Sequence, residues 1–221
     1  MNKELLNAAT KESELGKNLS DSALITIAEE YKKTVVIPRI KNTPQIIVCP
    51  VGLVGAGKST TLRPICKKLG LVRLSSDEVR RLLKKRGFNY LRTIDVVKKV
   101  MQDYLKQEYS LAMDGDAISP DIRAYVNRFA NKTTHIIYIH IKPPEKFILG
   151  KLKNFKHTWL FKDADDALRN FRRRKPLHKQ YLPTIDFYHK FDPSRDNLDR
   201  QIDRFIAKVS SEYALKRNKL I

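Results

Sequence analysis

Acidic residues are scarce in this chain: 24 Asp and Glu stand against 44 Lys and Arg in 221 residues, leaving a formal charge of +20. Long apolar runs are missing too. None approaches the roughly 18 residues that a membrane span needs, and Met1 to Thr10 contains no long apolar region followed by a cleavage site. A cytoplasmic protein with no membrane partner is therefore expected. The two cysteines, Cys49 and Cys66, have neither a CxxC nor a metal spacing, so both are expected in the core. The five histidines show no HxxxH or HxxE spacing. His135 and His140 fall on opposite faces of a strand, so no metal pair or dyad is expected and packing is the default for all of them.

What is present is concentrated in one stretch. Residues 52 to 59 read Gly52-Leu53-Val54-Gly55-Ala56-Gly57-Lys58-Ser59, followed by Thr60. This is GxxxxGK[ST], a Walker A loop. Its context fits: Gln45 to Val51 reads as a buried strand, and Leu62, Ile65, Cys66 and Leu69 recur at helical spacing after it. Backbone amides from Gly52 to Thr60 would cradle a polyphosphate while the Lys58 ammonium reaches the β and γ phosphates. The Ser59 hydroxyl would hold magnesium, so ATP and Mg2+ are the expected cofactors. Pro64 is placed in the first turns of that helix, where a missing amide costs little.

Charge divides the chain near residue 44, because positives and negatives nearly cancel before it and the positive excess accumulates after it. Residues 1–44 read as a helical extension and connector. Leu19 to Tyr31 forms a capped helix with Leu24, Ile27, Ala28 and Tyr31 on its apolar face, and Pro38 and Pro44 mark the connector. Residues 45–221 read as one domain. Strands are expected at Ile46 to Val51, Leu71 to Leu74, Ser110 to Met113, His135 to Ile141 and Phe187 to Phe191, with helices between them. Helix starts are signalled at Ser119-Pro120-Asp121, Pro144-Glu145 and Ser194-Arg195-Asp196. The fold class is α/β: a five-stranded parallel sheet flanked by helices on both faces.

The second strand runs into Ser75-Ser76-Asp77-Glu78-Val79-Arg80. Asp77 and Arg80, three apart at a helix start, can face the cleft above the strand ends. There a carboxylate can orient an acceptor hydroxyl and take its proton. The same residues also suit a plain helix start, with Ser75 and Glu78 as a capping box. The third strand delivers Asp114 where an apolar run meets an acid, as in a Walker B position, with Asp116 as its rival for magnesium. No glutamate follows Asp114 and no DxxG occurs, which argues against a hydrolytic motor or a GTPase switch.

The Walker A loop followed about twenty residues later by Ser-Asp-x-x-Arg resembles the small P-loop kinases related to phage polynucleotide kinase and the zeta-toxin group. The resemblance implies that Asp77 is the base and that Arg80 binds the acceptor or its phosphate. Those kinases often continue from the third-strand acid to an arginine in the next helix, a spacing similar to Asp114 and Arg123. It also implies a lid, here about residues 151–180, whose arginines fold over the transferring phosphate; Arg169, Arg172 and Arg173 are the candidates, in that order. Trp159 and Phe161 would pack the lid base or stack on a ring. Arg174-Lys175-Pro176-Leu177-His178 is similar to a stretch of the shikimate kinases, although Met113 to Ala117 lacks their glycine triplet. In both families the loop after the last strand touches adenine, here Phe191 to Arg195.

The reading is an ATP-dependent kinase. Its partners are ATP and an acceptor with a free hydroxyl, and the charge favours a polynucleotide 5′-hydroxyl. Small-molecule phosphorylation (a sugar, nucleoside or shikimate-like metabolite) and a non-kinase ATP-binding module for RNA or a protein are the alternatives.

Overall fold

The structure, a computed structural model, describes residues 16–155 and 160–219. At its centre lies β2 (Ile46–Val51), buried at every position, as the unbroken apolar run of an interior parallel strand requires. Around it, β3 (Val72–Ser75), β4 (Leu111–Asp114), β5 (His135–Ile141) and β6 (His189–Phe191) form a five-stranded parallel sheet in the order β3-β4-β2-β5-β6. A proline inside the central strand normally breaks its ladder. Pairing of β2 with β4 covers Ile47 and Val48, and the Pro50 carbonyl further on accepts from the Ala117 amide at 3.0 Å. The amide that Pro50 lacks therefore falls beyond the end of that ladder.

Alternation along β2 sends Ile46 and Val48 into one core and Ile47, Cys49 and Val51 into another. The first core is filled by α2 (Lys58–Leu69), α6 (Glu145–Lys153) and α8 (Leu198–Glu212); the second by α1 (Asp21–Lys32), α3 (Ser76–Lys85), α4 (Thr93–Lys106) and α5 (Pro120–Phe129). Helices thus cover both faces. The long α7 (Ala164–Tyr181) belongs to both cores, burying Ala167 and Phe171 in one and Leu177 and Tyr181 in the other. Both cysteines are buried, and burial pushes each thiol up to about 12. Among the described residues no helix is long and apolar enough to cross a membrane.

In α1, the expected face of Leu24, Ile27, Ala28 and Tyr31 is the buried one, and Ser20 caps the helix by accepting from the Ala23 amide at 3.2 Å. Elsewhere the structure differs in instructive ways. Strands β3 and β4 each sit one residue later than expected, and β6 keeps only His189–Phe191. The last helix starts at Leu198, not at Ser194, because the Asp192 carboxylate captures the Ser194 amide (3.1 Å) and hydroxyl (2.6 Å) and holds a turn there. Pro64 is not in the first turns of α2 but in its interior. Pro176 is likewise interior, and α7 runs past it to Tyr181. A mid-helix proline costs about 3 kcal/mol, and burying two large side chains such as Leu177 and Tyr181 returns about 1.5–3 kcal/mol each.

Two short strands lie outside the expected set. β1 (Ile40–Thr43) pairs antiparallel with β7 (Lys216–Lys219). Buried Asn42 in β1 donates to the Leu69 carbonyl at 2.8 Å, satisfying the end of α2.

The amino-terminal helix is tied to the sheet by one polar contact inside the core. Tyr31, 1% exposed, accepts from the Ser75 amide at 2.7 Å and donates to the Ser75 carbonyl at 3.3 Å. This satisfies the last residue of edge strand β3. Tyr31→Phe leaves that amide buried without a partner, and we expect a loss of about 1–3 kcal/mol, seen in urea unfolding as a lower midpoint with an unchanged slope.

Candidate functional site

Two glycines shape the loop between β2 and α2. Gly57 has φ +96°, a conformation that other residues rarely adopt, and initiates the helix from there. At Gly52 a Cβ would lie 2.8 Å from the Ile141 carbonyl oxygen of β5, so only glycine lets the loop leave the sheet so close to its neighbour. Against Gly57 stands Pro193, whose side chain would be 3.1 Å from a Cβ there. The segment Phe191 to Arg195 therefore abuts the phosphate-binding loop.

Lys58 folds over its own loop, its Nζ donating to the carbonyls of Gly52 (2.7 Å) and Leu53 (3.0 Å). Burial lowers its ammonium below the usual lysine range, and the carboxylates of Asp116, Asp77 and Asp114 oppose that shift. Those three acids consequently share one electrostatic space with Lys58. Ser59 Oγ donates to Asp114 Oδ1 at 3.0 Å, and Arg73 grips Asp114 Oδ2 while its other nitrogen binds Glu78. Burial raises the Asp114 carboxyl, against the pull of Arg73. Ser59 and Asp114 bring together hard oxygen atoms of the kind magnesium takes. Among the described residues no cluster of three or more His, Cys, Asp or Glu could hold a metal, so these two oxygens fit a magnesium ion that keeps water and phosphate ligands.

Asp77 lies in the first turn of α3 with Arg80 one turn on, Arg80 Nη1 donating to Asp77 Oδ1 at 2.7 Å. Ser75 caps the same helix, accepting from the Glu78 amide at 3.4 Å. Glu78 does not close the expected capping box; its carboxylate goes to Arg73 instead.

Asp114 and Asp116 have separate surroundings. Asp116 turns away from Ser59: its Oδ1 accepts from the Gly52 amide at 3.3 Å, and its Oδ2 accepts from Arg174 Nη2 and His178 Nε2, each at 2.9 Å. Burial pushes this carboxyl up, but the His178 hydrogen bond with the charges of Lys58 and Arg174 outweighs it and holds the group well below the usual carboxylate range. The packing default for histidine thus misses His178, whose buried ring serves a carboxylate.

The lid arginines divide differently from the expected order. Arg169 is exposed and faces Asp166 at 3.4 Å; Arg172 is exposed and Arg173 half-buried, neither with an ion pair among the described residues. Arg174, one residue further, reaches the phosphate-binding loop through Asp116. Arg123 is turned outward, donating to Thr184 Oγ1 at 3.0 Å. Phe161 is buried against Phe155, ring centroids 5.3 Å apart; Trp159 lies outside the described residues. Sequence reasoning also missed Arg73, although a lone arginine between apolar strand positions was a signal for it.

A glycine-rich loop between a buried strand and a helix opening on Lys58-Ser59, at the carboxyl end of the central strand of a five-stranded parallel sheet, defines a P-loop nucleotide-binding protein. The chain belongs to the AAA domain family AAA_33, whose model matches residues 47–170. No curated protein matches it. Among solved structures it is similar to a chain of the PezAT chromosomal toxin–antitoxin system of Streptococcus pneumoniae, with TM-score 0.53 and 14% identity over 87% of this chain and 97% of that one. It is also similar to a protein of Chloroflexus aurantiacus described as a candidate kinase, with TM-score 0.57 and 15% identity over 75% of this chain and 98% of that one. At these identities the likeness is one of fold alone.

Asp116→Asn keeps the shape of this junction and removes its charge. With Arg174 left uncompensated, we expect unfolding at pH 7 to cost about 3 kcal/mol less. Because the folded carboxyl is held low, its contribution is complete above the ordinary carboxylate range and fades as pH falls below it. In urea titrations the gap between wild type and variant should narrow steadily as pH drops from about 4 toward 2.

Proposed function

We propose that the protein is an ATP-dependent phosphotransferase that moves the γ-phosphoryl group to an acceptor hydroxyl, with a polynucleotide 5′-hydroxyl favoured as acceptor. The observation that carries this reading is the position of Asp77: a carboxylate at a helix start, held by Arg80 at 2.7 Å and within the electrostatic reach of both Lys58 and Asp114. An acid there has no use in merely holding a nucleotide, whereas an in-line transfer needs one beside the attacking oxygen. The Chloroflexus neighbour described as a candidate kinase is in keeping with this.

In this mechanism the amides from Gly52 to Thr60 bind the phosphates, and Lys58 exchanges its two carbonyl partners for phosphate oxygens. Asp77 Oδ1 stays with Arg80, and Oδ2 accepts the hydroxyl hydrogen, orienting the oxygen and taking its proton as its bond to the γ-phosphorus forms and the bond from that phosphorus to the β,γ-bridging oxygen breaks, releasing ADP. Ser59 and Asp114 would hold magnesium, which supplies charge neutralisation on the phosphates when bound. Arg172 and Arg173, without ion-pair partners among the described residues, are available to the transferring group, and Arg169 would join them on leaving Asp166. Pro193 and its neighbours would line the adenine.

The test is ATP turnover with radiolabelled γ-phosphate, measured alone, with 5′-hydroxyl oligonucleotides, and with a panel of sugars, nucleosides and shikimate. Label should move to an acceptor and not only to water. Asp77→Asn should lower kcat by about 10²–10⁴-fold with ATP affinity nearly unchanged. Tight ATP binding with no acceptor labelled would overturn the reading, and a fully active Asp77→Asn would reduce Asp77 to a helix-start residue.

A further inference from the structure

Beside the free edge of β3 runs an open groove of about 1070 Å³, walled by α2 on one side and α3 on the other, and closed by the connector after α1. Its floor is apolar, with Val35, Pro38, Leu71 and Leu82, and its walls are cationic. The cations Arg39, Arg63, Lys67, Arg81 and Lys85 are all exposed, and none makes an ion pair or hydrogen bond with a described residue. The two acids that line the groove are already occupied: Glu30 is bound by Arg86 and Glu78 by Arg73.

Like charges stand one turn apart on both walls. Arg63 and Lys67 are four apart on α2, and Arg81 and Lys85 are four apart on α3. Like charges at that spacing destabilise a helix by about 0.2–0.5 kcal/mol per pair. Two such pairs border one groove, although Lys67 and Lys85 gain from their place in the last turns of their helices. Five exposed cations against two acids, each of which is paired with an arginine, mark the groove as a surface for an anionic partner.

We propose that this groove binds single-stranded nucleic acid, its phosphates lying along the two cationic walls and its bases against the apolar floor. A small polyphosphate would engage only part of two cationic walls that face each other across an open groove. Unpaired bases supply flat apolar faces to such a floor at phosphate spacing. The groove also leads to the right place. On α3, Glu78, Arg81, Leu82 and Lys85 face it, while Asp77 and Arg80 occupy the adjoining stripe of the same helix. At its inner end stands Arg73, whose other contact is Asp114. Strand binding does not depend on phosphoryl transfer; its service as the acceptor channel rests on the kinase reading.

The test is fluorescence anisotropy of labelled single-stranded DNA and RNA without ATP, over a range of salt concentrations. Wild type should bind both strands. Lys67→Glu and Lys85→Glu should each weaken binding about 10-fold or more and together lower the slope of log affinity against log salt by about 1.4, at about 0.7 for each lost phosphate contact. Each substitution turns a repulsive spacing into an Arg–Glu pair but sets an acid in a last helical turn, so thermal melts and a Lys67→Gln/Lys85→Gln variant, which should weaken binding in the same direction, separate lost binding from lost fold. Lys190→Glu, on the opposite edge of the sheet, should leave affinity within about 2-fold. Absence of strand binding, groove variants that bind as wild type, or displacement of the strand by polyglutamate at equal charge would overturn the proposal, the last in favour of an acidic polypeptide. Strand binding without transfer would sink the kinase reading alone, and transfer to a small hydroxyl compound without strand binding would sink this one alone.

Discussion

The Asp116 carboxylate holds the top of the molecule together. It receives the first amide of the phosphate-binding loop, a guanidinium and an imidazole from α7, all within 3.3 Å. Taking such a carboxylate out of water is costly, and only a nearly complete set of donors offsets it. The constraint propagates in both directions. The Ala117 amide pins the same turn to Pro50 at the end of β2, so β2, β4, the loop and α7 are fixed by two adjacent residues. Phosphate-binding amides held this way do not have to be ordered again when a ligand arrives.

That junction also limits what α7 can do as a lid. Its length, about 27 Å at 1.5 Å per residue, carries it from one core to the other, with Phe171 on one side and Leu177 and Tyr181 on the other. Swinging the whole helix away would expose those side chains and break the Asp116 contacts together. Closure over a nucleotide is cheaper for side chains at its surface, where Arg169 and Arg172 are exposed. On the proposed reading the helix is a fixed beam, and closure would fall to the arginines on its surface.

Much of this was legible in the sequence where the signal is local. The loop and the strand and helix around it follow from spacing alone, as does the buried face of α1, because periodicity and burial coincide there. What could not be read depends on partners far away in the chain. Asp116 meets Arg174 and His178 across about sixty residues, and β1 meets β7 across nearly the whole domain. No local pattern separates Asp114 from Asp116, since both follow the same apolar run; only the positions of Ser59 and α7 tell them apart. Pro64 misled for a related reason, because a propensity rule cannot see the core that a helix is packed against.

The excess charge acquires a location by the same reasoning. Many of the scarce carboxylates are spent on structure: Asp116 on α7, Asp103 on Lys32 and Lys99, Glu30 on Arg86, Glu78 on Arg73. Arg73 is the hinge of this distribution, because its planar fork serves two carboxylates at once, one on the groove side and one beside Ser59. Glu78 is held at the groove wall by a guanidinium that it shares with Asp114, and Glu30 feels the charge of Lys85 as well as that of Arg86. The two nitrogens of the fork meet the two acids separately. The guanidinium does two things with one group: it opposes the effect of burial on Asp114 at the phosphate side, and it offsets part of the Glu78 charge on the groove side of the same wall.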